Sequence, residues 1–338
     1  MSKLLSKVWS LTSFSFTSEL MARKMSPVDL IPLMAQTGLA DHLELDGPQF
    51  FRNYPDVGQS QLDLVKAACE EQGIGISIVG GYMDRFYGQA RPINQTLVMK
   101  RLEQQLQLAA RLGAHGLRLQ FDALHEAEID QAISWAKETG VKILLELQGS
   151  ATPEQPNISK IVESVTSRAN PMFRILIDTS LFMKSFPSTY KLKLEGMGIT
   201  TEIVETLEAK WLANTSSEMR NWLIAELQAG NLPGQLASQL PTLTSRFGHT
   251  KADDWAHLKP VLDSLHLKYW DADDSTGAVS GLAREALKLY DTSEFPGFIV
   301  SEWGGHDWIP LEVSTGLEMS ERHKSALATT LWAASQSA

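Results

Sequence analysis

Eight short apolar runs, each trailed by a stretch of helical periodicity, extend along almost the whole chain and leave few folds open. The runs lie at 8–16, 42–47, 75–83, 115–121, 141–149, 173–182, 264–270 and 297–305. Helical patterns follow at 18–38, 60–73, 94–113, 126–140, 158–170, 282–291 and 319–335, with Asn94 as an N-cap and glycines such as Gly38, Gly73 and Gly113 as stops. Strands that are apolar on both faces and separated by helices are parallel and covered by helical layers. Eight of them in β–α alternation predict an α/β fold, a (β/α)8 TIM barrel forming one domain over 1–338. An open doubly wound sheet would carry a glycine-rich phosphate turn. Neither G-x-G-x-x-G nor G-x-x-x-x-G-K-[ST] occurs, and Gly80-Gly81 is only a pair.

One interval breaks the rhythm. Between Phe182 and Ser264 the segments 201–214, 216–230, 236–248 and 251–264 all read as helices punctuated by Gly, Pro and Ser. They predict a helical insertion over 184–262, between strands six and seven. It either thickens the helical layer on the barrel wall or forms a cap or subunit contact. Trp211, Trp222 and Trp255 are the signal for the second placement.

Composition narrows the function. With 30 Lys and Arg against 40 Asp and Glu, the formal charge is −10, which opposes a broad nucleic-acid-binding face. Cys69 is the single cysteine, so no internal disulfide or cysteine-rich metal site forms, and a reducing, cytoplasmic compartment is expected. No run approaches a membrane span. The opening MSKLLSKVWSLTSFSF resembles a signal peptide only superficially. Ser10, Thr12, Ser13 and Ser15 interrupt it, and Trp9, Leu11, Phe14 and Phe16 alternate with polar residues as a strand does.

In such a barrel the chemistry stands at the C-terminal strand ends. The polar residues there are Glu44 and Asp46 on strand two, then Tyr82, Asp84 and Arg85 after strand three. Strand four brings Arg118, Gln120 and Asp122, and strand five Glu146 and Gln148. Asp178 ends strand six, His266 and Lys268 lie on strand seven, and Glu302, Trp303 and His306 follow on strand eight. A lone glutamate or histidine at a strand end is ordinarily just a hydrogen-bonded polar group. Glu146, Asp178, His266 and Glu302 are different as a set, since each interrupts an apolar run at a corresponding depth on four consecutive strands. Buried carboxylates that close together need a positive charge between them. One divalent cation supplies it, and three carboxylates with one imidazole suit Mn2+, with Mg2+ or Co2+ as alternatives and Zn2+ less suited.

This order of Glu146, Asp178, His266 and Glu302 resembles the xylose isomerase-like superfamily of sugar isomerases and epimerases. The resemblance extends through L-E-L-D-G at 43–47, R-L-G-A-H-G-L-R at 111–118 and S-E-W-G-G at 301–305. Within that superfamily, D-T-S-L-F-M at 178–183 and the H-x-K-x-W run at 266–270 resemble the α subunits of bacterial C-glycoside deglycosidases. The resemblance implies one bound metal, a sugar or glycoside substrate, and a homo- or hetero-oligomer with a small second subunit. No nucleic acid and no membrane partner is implied. Two positions depart from the pattern. Gln148 stands where many relatives have a histidine that is a candidate base, and Leu181 where epimerases often have another.

The implied chemistry begins with removal of a proton beside a sugar carbonyl held by the metal. Reprotonation gives epimerisation or isomerisation, and loss of a β leaving group gives elimination, as for a 3-oxo-glycoside losing a carbon-linked aglycone. Glu146 and Glu302 are candidates to double as ligand and base, His306 to replace the missing histidine, and Lys268 to steady an oxyanion. Gln148, Tyr82, Trp270 and Trp303 are candidate substrate contacts, the last three as stacking surfaces. A zinc phosphodiesterase would need more histidines and a basic face. A barrel that keeps the fold as a binding or assembly subunit is the remaining alternative.

Overall fold

A computed structural model describes residues 8–87, 91–271, 273–274, 277–291 and 295–334. Eight parallel strands close into a barrel: β1 (Trp9–Thr12), β2 (His42–Asp46), β3 (Gly75–Gly80), β4 (Gly116–Gln120), β5 (Lys142–Leu147), β6 (Phe173–Asp178), β7 (Leu262–Tyr269) and β8 (Ile299–Trp303). Each strand pairs with its sequence neighbours, and β1 pairs with β8 through Trp9 and Ile299 to complete the ring. The (β/α)8 barrel expected from the alternation of runs is the fold.

Helices α1 (Leu30–Thr37), α2 (Gln59–Gln72), α3 (Gln95–Arg111), α4 (Glu126–Thr139) and α5 (Pro156–Arg168) cover the first half of the barrel. Their inward stripes, such as Leu62, Leu102 and Ile129, are fully enclosed against the strands. Each enclosed aliphatic side chain of this kind contributes about 1.5–3 kcal/mol. Gly73 and Gly140 close α2 and α4 at φ 68° and 72°, a left-handed turn that glycine adopts without steric cost.

Inside the barrel, side chains alternate faces along each strand, so residues two apart share the inward face. Ile78, Leu144, Leu176 and Val300 meet there as a small apolar plug. Two residues further along their strands, Glu146, Asp178 and Glu302 follow Leu144, Leu176 and Val300 on that inward face. Alternation alone therefore carries three carboxylates into one interior layer above the plug.

Between β6 and β7 lie α6 (Ser188–Gly196), α7 (Thr201–Ala213), α8 (Ser216–Ala229) and short helical turns at Gly234–Gln239, Thr242–Arg246 and Ala252–Val261. The part from Met183 to Phe247 builds a core of its own around Phe186, Tyr190, Leu207, Trp211, Leu223 and Phe247. Ser150 N–H donates to the Ser245 carbonyl at 3.0 Å and Met183 N–H to the Gly248 carbonyl at 2.9 Å, which seats this block on the ends of β5 and β6. Trp255 instead joins the main core between strands and helices. Trp211 and Trp255 satisfy their indole N–H groups within the chain, on the Phe247 carbonyl and the Thr250 hydroxyl. Trp222 is half-buried, with the Lys210 ammonium 5.5 Å from its ring centre.

Some boundaries differ from the sequence expectation. The helix expected over 18–38 is broken, because Arg23 takes a positive φ of 55° and Pro27 restarts the chain in a new turn at Pro27–Asp29. Strand seven begins at Leu262 rather than 264. Helix α6 and a small antiparallel pair, Phe86–Tyr87 with Arg91–Pro92, carry no pattern that periodicity exposes. Among the described residues no helix is long and apolar enough to cross a membrane.

Candidate metal centre

Glu146, Asp178, His266 and Glu302 offer one ligand atom each, and these four atoms lie within 4.8 Å of one another, all buried. In each carboxylate, one oxygen is already engaged. Glu146 Oε2 accepts from Arg118 Nη1 at 2.9 Å and from Gln148 Nε2 at 3.2 Å. Asp178 Oδ1 accepts the Ser180 N–H at 2.7 Å, as the cap of a short turn. Glu302 Oε1 accepts from Lys268 Nζ at 2.5 Å. The remaining oxygens face the cage. Asp178 Oδ2 is buried and has no hydrogen-bond partner among the described residues, while His266 Nδ1 is pressed between Glu146 Oε1 at 3.0 Å and Glu302 Oε2 at 2.6 Å. Orphaned buried polar atoms are costly unless something else satisfies them. The donor set therefore fits a divalent cation, with one oxygen or nitrogen from each of four strands.

The charge balance points the same way. Five inward carboxylates, those of Glu44, Asp46, Glu146, Asp178 and Glu302, are buried around the site. Among the described residues, only Arg118 and Lys268 oppose them with permanent positive charge. Burial raises the Asp178 carboxyl to about 6, further helped by the charges of Glu302 and Glu146, while Lys268 pulls it down. Burial also works against ionisation of Glu146, but Arg118 and His266 outweigh it and hold this carboxyl low, at about 2. For Glu302, Lys268 and His266 outweigh burial and hold the carboxyl well below its ordinary range. His266 shows the opposite balance. Burial favours the neutral ring, yet Glu44 and Glu302 push its pKa well above the usual value. Without a cation in the cage, that imidazole is drawn into the role of the missing positive charge.

The other residues singled out from the sequence fall into distinct places. Lys268 is buried, 3.6 Å from Asp178 Oδ2 and above the Phe14 ring at 5.6 Å, inside the polar layer. Gln148 touches Glu146 directly. Tyr82 stands at the rim with an exposed ring, and its hydroxyl donates to Asp46 Oδ2 at 3.1 Å. His306 is not part of the cluster. Its Nδ1 donates to the Trp303 carbonyl at 3.0 Å, and its ring packs edge-on against Phe14, the ring that also lies under Lys268. Trp270 and Trp303, expected as stacking surfaces, are only 2% and 0% exposed. Trp270 packs at 5.2 Å against Phe247 of the helical block between β6 and β7, and Trp303 is enclosed in the main core. Tyr82 is thus the one expected aromatic that faces the mouth.

No protein-family model matches the chain. The C-glycoside deglycosidase alpha subunit of Arthrobacter globiformis is 24% identical to it, over 94% of this chain and 90% of the relative. The 3'-dehydrocarminate deglycosidase alpha subunit of a Microbacterium species is 21% identical over 88% of each. The chain resembles deglycosidase α subunits along nearly its whole length. Among solved structures, a D-psicose 3-epimerase from Clostridium cellulolyticum superposes with a TM-score of 0.57 at 12% identity, covering 96% of this chain and 98% of that one. A barrel protein solved with a bound zinc atom superposes at 0.52 and 11% identity, over 96% and 97%. These superpositions show the shared fold, a (β/α)8 barrel.

Against that deglycosidase-like background, two residues of the site were visible in the sequence without a role. Glu44 and Arg118 stand among the strand-end polar residues, yet nothing in their own strands ties them to Glu146 or His266. The structure does so: Glu44 Oε2 lies 2.7 Å from His266 Nε2, and Arg118 Nε lies 2.9 Å from Glu44 Oε1.

Proposed function

We propose that the chain is a divalent-cation-dependent enzyme that removes a proton beside a sugar carbonyl and, on a 3-oxo-C-glycoside, eliminates the carbon-linked aglycone. The observation that carries this reading is the cage of four converging ligand atoms, with the other oxygen of every carboxylate already occupied. The relatives' names supply the substrate class. A divalent cation held there supplies Lewis-acid polarisation of a carbonyl and its neighbouring hydroxyl, with Mn2+ the best match to the ligands.

The chain's own residues then have definite tasks. Glu146 and Glu302 are kept ionised by their cationic neighbours, and whichever of them acts as base takes the proton from C2, next to the C3 carbonyl, on the oxygen that otherwise accepts from Arg118 or Lys268. As the electron pair moves to form the C1–C2 double bond, the C1–aglycone bond breaks and the aglycone carbon takes up a proton. Lys268, desolvated and hydrogen-bonded to Glu302, steadies negative charge developing on the sugar oxygen. Tyr82 lines the approach. The segment 184–262 is read as an insertion within a single barrel domain, a small second subunit completes the assembly, and the cytoplasm is the compartment.

A second reading rests on Gln148. An amide cannot carry a proton, and it occupies the place of the histidine that the resemblance assigns as a base. If the proton is taken and returned without a leaving group, the same site performs epimerisation or isomerisation. If no proton is moved at all, the barrel is a binding or assembly subunit. The deciding experiment has two stages. After incubation with Mn2+ and desalting, elemental mass spectrometry is expected to find about one metal per chain, lost in Asp178→Asn. Keto-glycosides in D2O are then expected to yield free aglycone. Deuterium incorporation without aglycone release selects the epimerase reading. A folded, metal-free wild-type protein refutes the enzyme.

A further inference from the structure

The polar layer contains a closed circuit of four side chains. His266 Nδ1 lies 3.0 Å from Glu146 Oε1, Glu146 Oε2 accepts from Arg118 Nη1 at 2.9 Å, Arg118 Nε donates to Glu44 Oε1 at 2.9 Å, and Glu44 Oε2 returns to His266 Nε2 at 2.7 Å. Two members are cage residues, and the other two are not. Glu44 and His266 are both fully buried, so water cannot substitute for either partner. Arg118 is also largely enclosed and spans two carboxylates with separate edges of its planar guanidinium.

We infer that Glu44 and Arg118 are positioning residues for the cation site, an inference that rests on the cage reading above. Glu44 holds the Nε2 edge of the His266 ring, which leaves Nδ1 as the edge turned into the cage. A histidine ligand whose second nitrogen is anchored to a carboxylate is fixed in both ring orientation and tautomer. Arg118 does the corresponding work for Glu146. By occupying Oε2 it leaves a single oxygen, Oε1, for the cation, and by holding Glu44 at the same time it ties the orientation of the two ligands together. A lysine cannot replicate this, because an ammonium lacks the rigid fork that reaches two carboxylates in fixed directions.

The test measures Mn2+ binding by titration calorimetry and the visible spectrum of Co2+-loaded protein, so it does not depend on turnover. Glu44→Ala is expected to weaken Mn2+ binding about 10–100-fold and to alter the Co2+ bands. Glu44→Gln keeps an acceptor for Nε2–H and is expected to recover most of the affinity and the wild-type spectrum. Arg118→Lys keeps the charge and is expected to lose affinity nonetheless. If Glu44→Ala does not fold, the comparison of Glu44→Gln with Arg118→Lys decides the matter. Wild-type affinity and an unchanged Co2+ spectrum in Arg118→Lys, or in a folded Glu44→Ala, overturn the inference while leaving the cage intact. Absence of Mn2+ binding by the wild type overturns the cage reading, and this inference with it.

Discussion

His323 offers a clean measurement of how tightly the barrel seals the wall behind Glu302. It sits on the final helix, α9 (Gly316–Ala334), and its ring stacks on Tyr269 with centroids 3.7 Å apart and an interplanar angle of 18°. Its Nδ1 lies 2.7 Å from the hydroxyl of Ser301, the residue next to Glu302. Burial alone pushes this imidazole down from 6.5 to about 3, so it stays neutral in the folded protein while the unfolded chain takes up a proton near the ordinary value. Stability from this group is therefore fully present above pH 6.5 and is lost as pH falls towards 3. Each pH unit within that window costs about 1.4 kcal/mol. Between pH 7.0 and 5.0, roughly 1.5 units of which lie below the unfolded value, the loss comes to about 2 kcal/mol.

Urea unfolding in the presence of a chelator, at both pH values, on wild type and His323→Gln, isolates this contribution. The variant is less stable at pH 7.0 because the stacking is lost, but its further loss on acidification is expected to be smaller than that of the wild type by about 2 kcal/mol. Equal acid sensitivity in the two proteins would show that the imidazole protonates in the folded state, and that the wall behind Glu302 admits water.

Lys268→Met leaves Glu302 without its ammonium partner in a buried site, so the cation-free protein is expected to lose about 3–5 kcal/mol. Saturating Mn2+ should then raise the melting temperature more in the variant than in wild type, and an equal rise in both would show that the lysine does not balance the cage. Gly304→Ala would bring a methyl group to 2.6 Å from Trp270 Nε1, so about 1–3 kcal/mol of destabilisation is expected by thermal denaturation. An unchanged melting temperature would mean that Trp270 can yield.

The fold was legible because one periodic signal repeats eight times, and a parallel strand buried on both faces imposes the same apolar run wherever it occurs. The four cage residues were legible for a related reason, since an ionisable side chain inside such a run stands out against its neighbours. Glu44 and Arg118 break their runs equally well, but their meaning lies in contacts 222 and 74 residues away in sequence, between Glu44 and His266 and between Arg118 and Glu44. No local pattern encodes such pairings. Trp270 and Trp303 misled for the converse reason. A large aromatic beside a strand end looks the same in sequence whether it faces the mouth or a second core, and packing alone decides. Helix α6 was missed because its start, in S-F-P-S, reads as a chain break, whereas Asp271 accepts from the Ser188 and Thr189 N–H groups and stabilises its first turn from outside the segment.

Trp270 closes one further question, that of modularity. Its ring belongs to the core of the helical block, yet it lies two residues beyond Lys268 and four beyond His266 on the same run of chain. The block is thus not an ornament that could be exchanged between barrels like a surface loop. Transplanting a differently shaped block from a relative would strip the indole of its wall at Phe247 and shift the anchorage of the strand that carries the imidazole. The packing of the helical block and the seating of the strand that carries His266 and Lys268 are coupled through that single side chain, so a change in the outer helices reaches the cage through it.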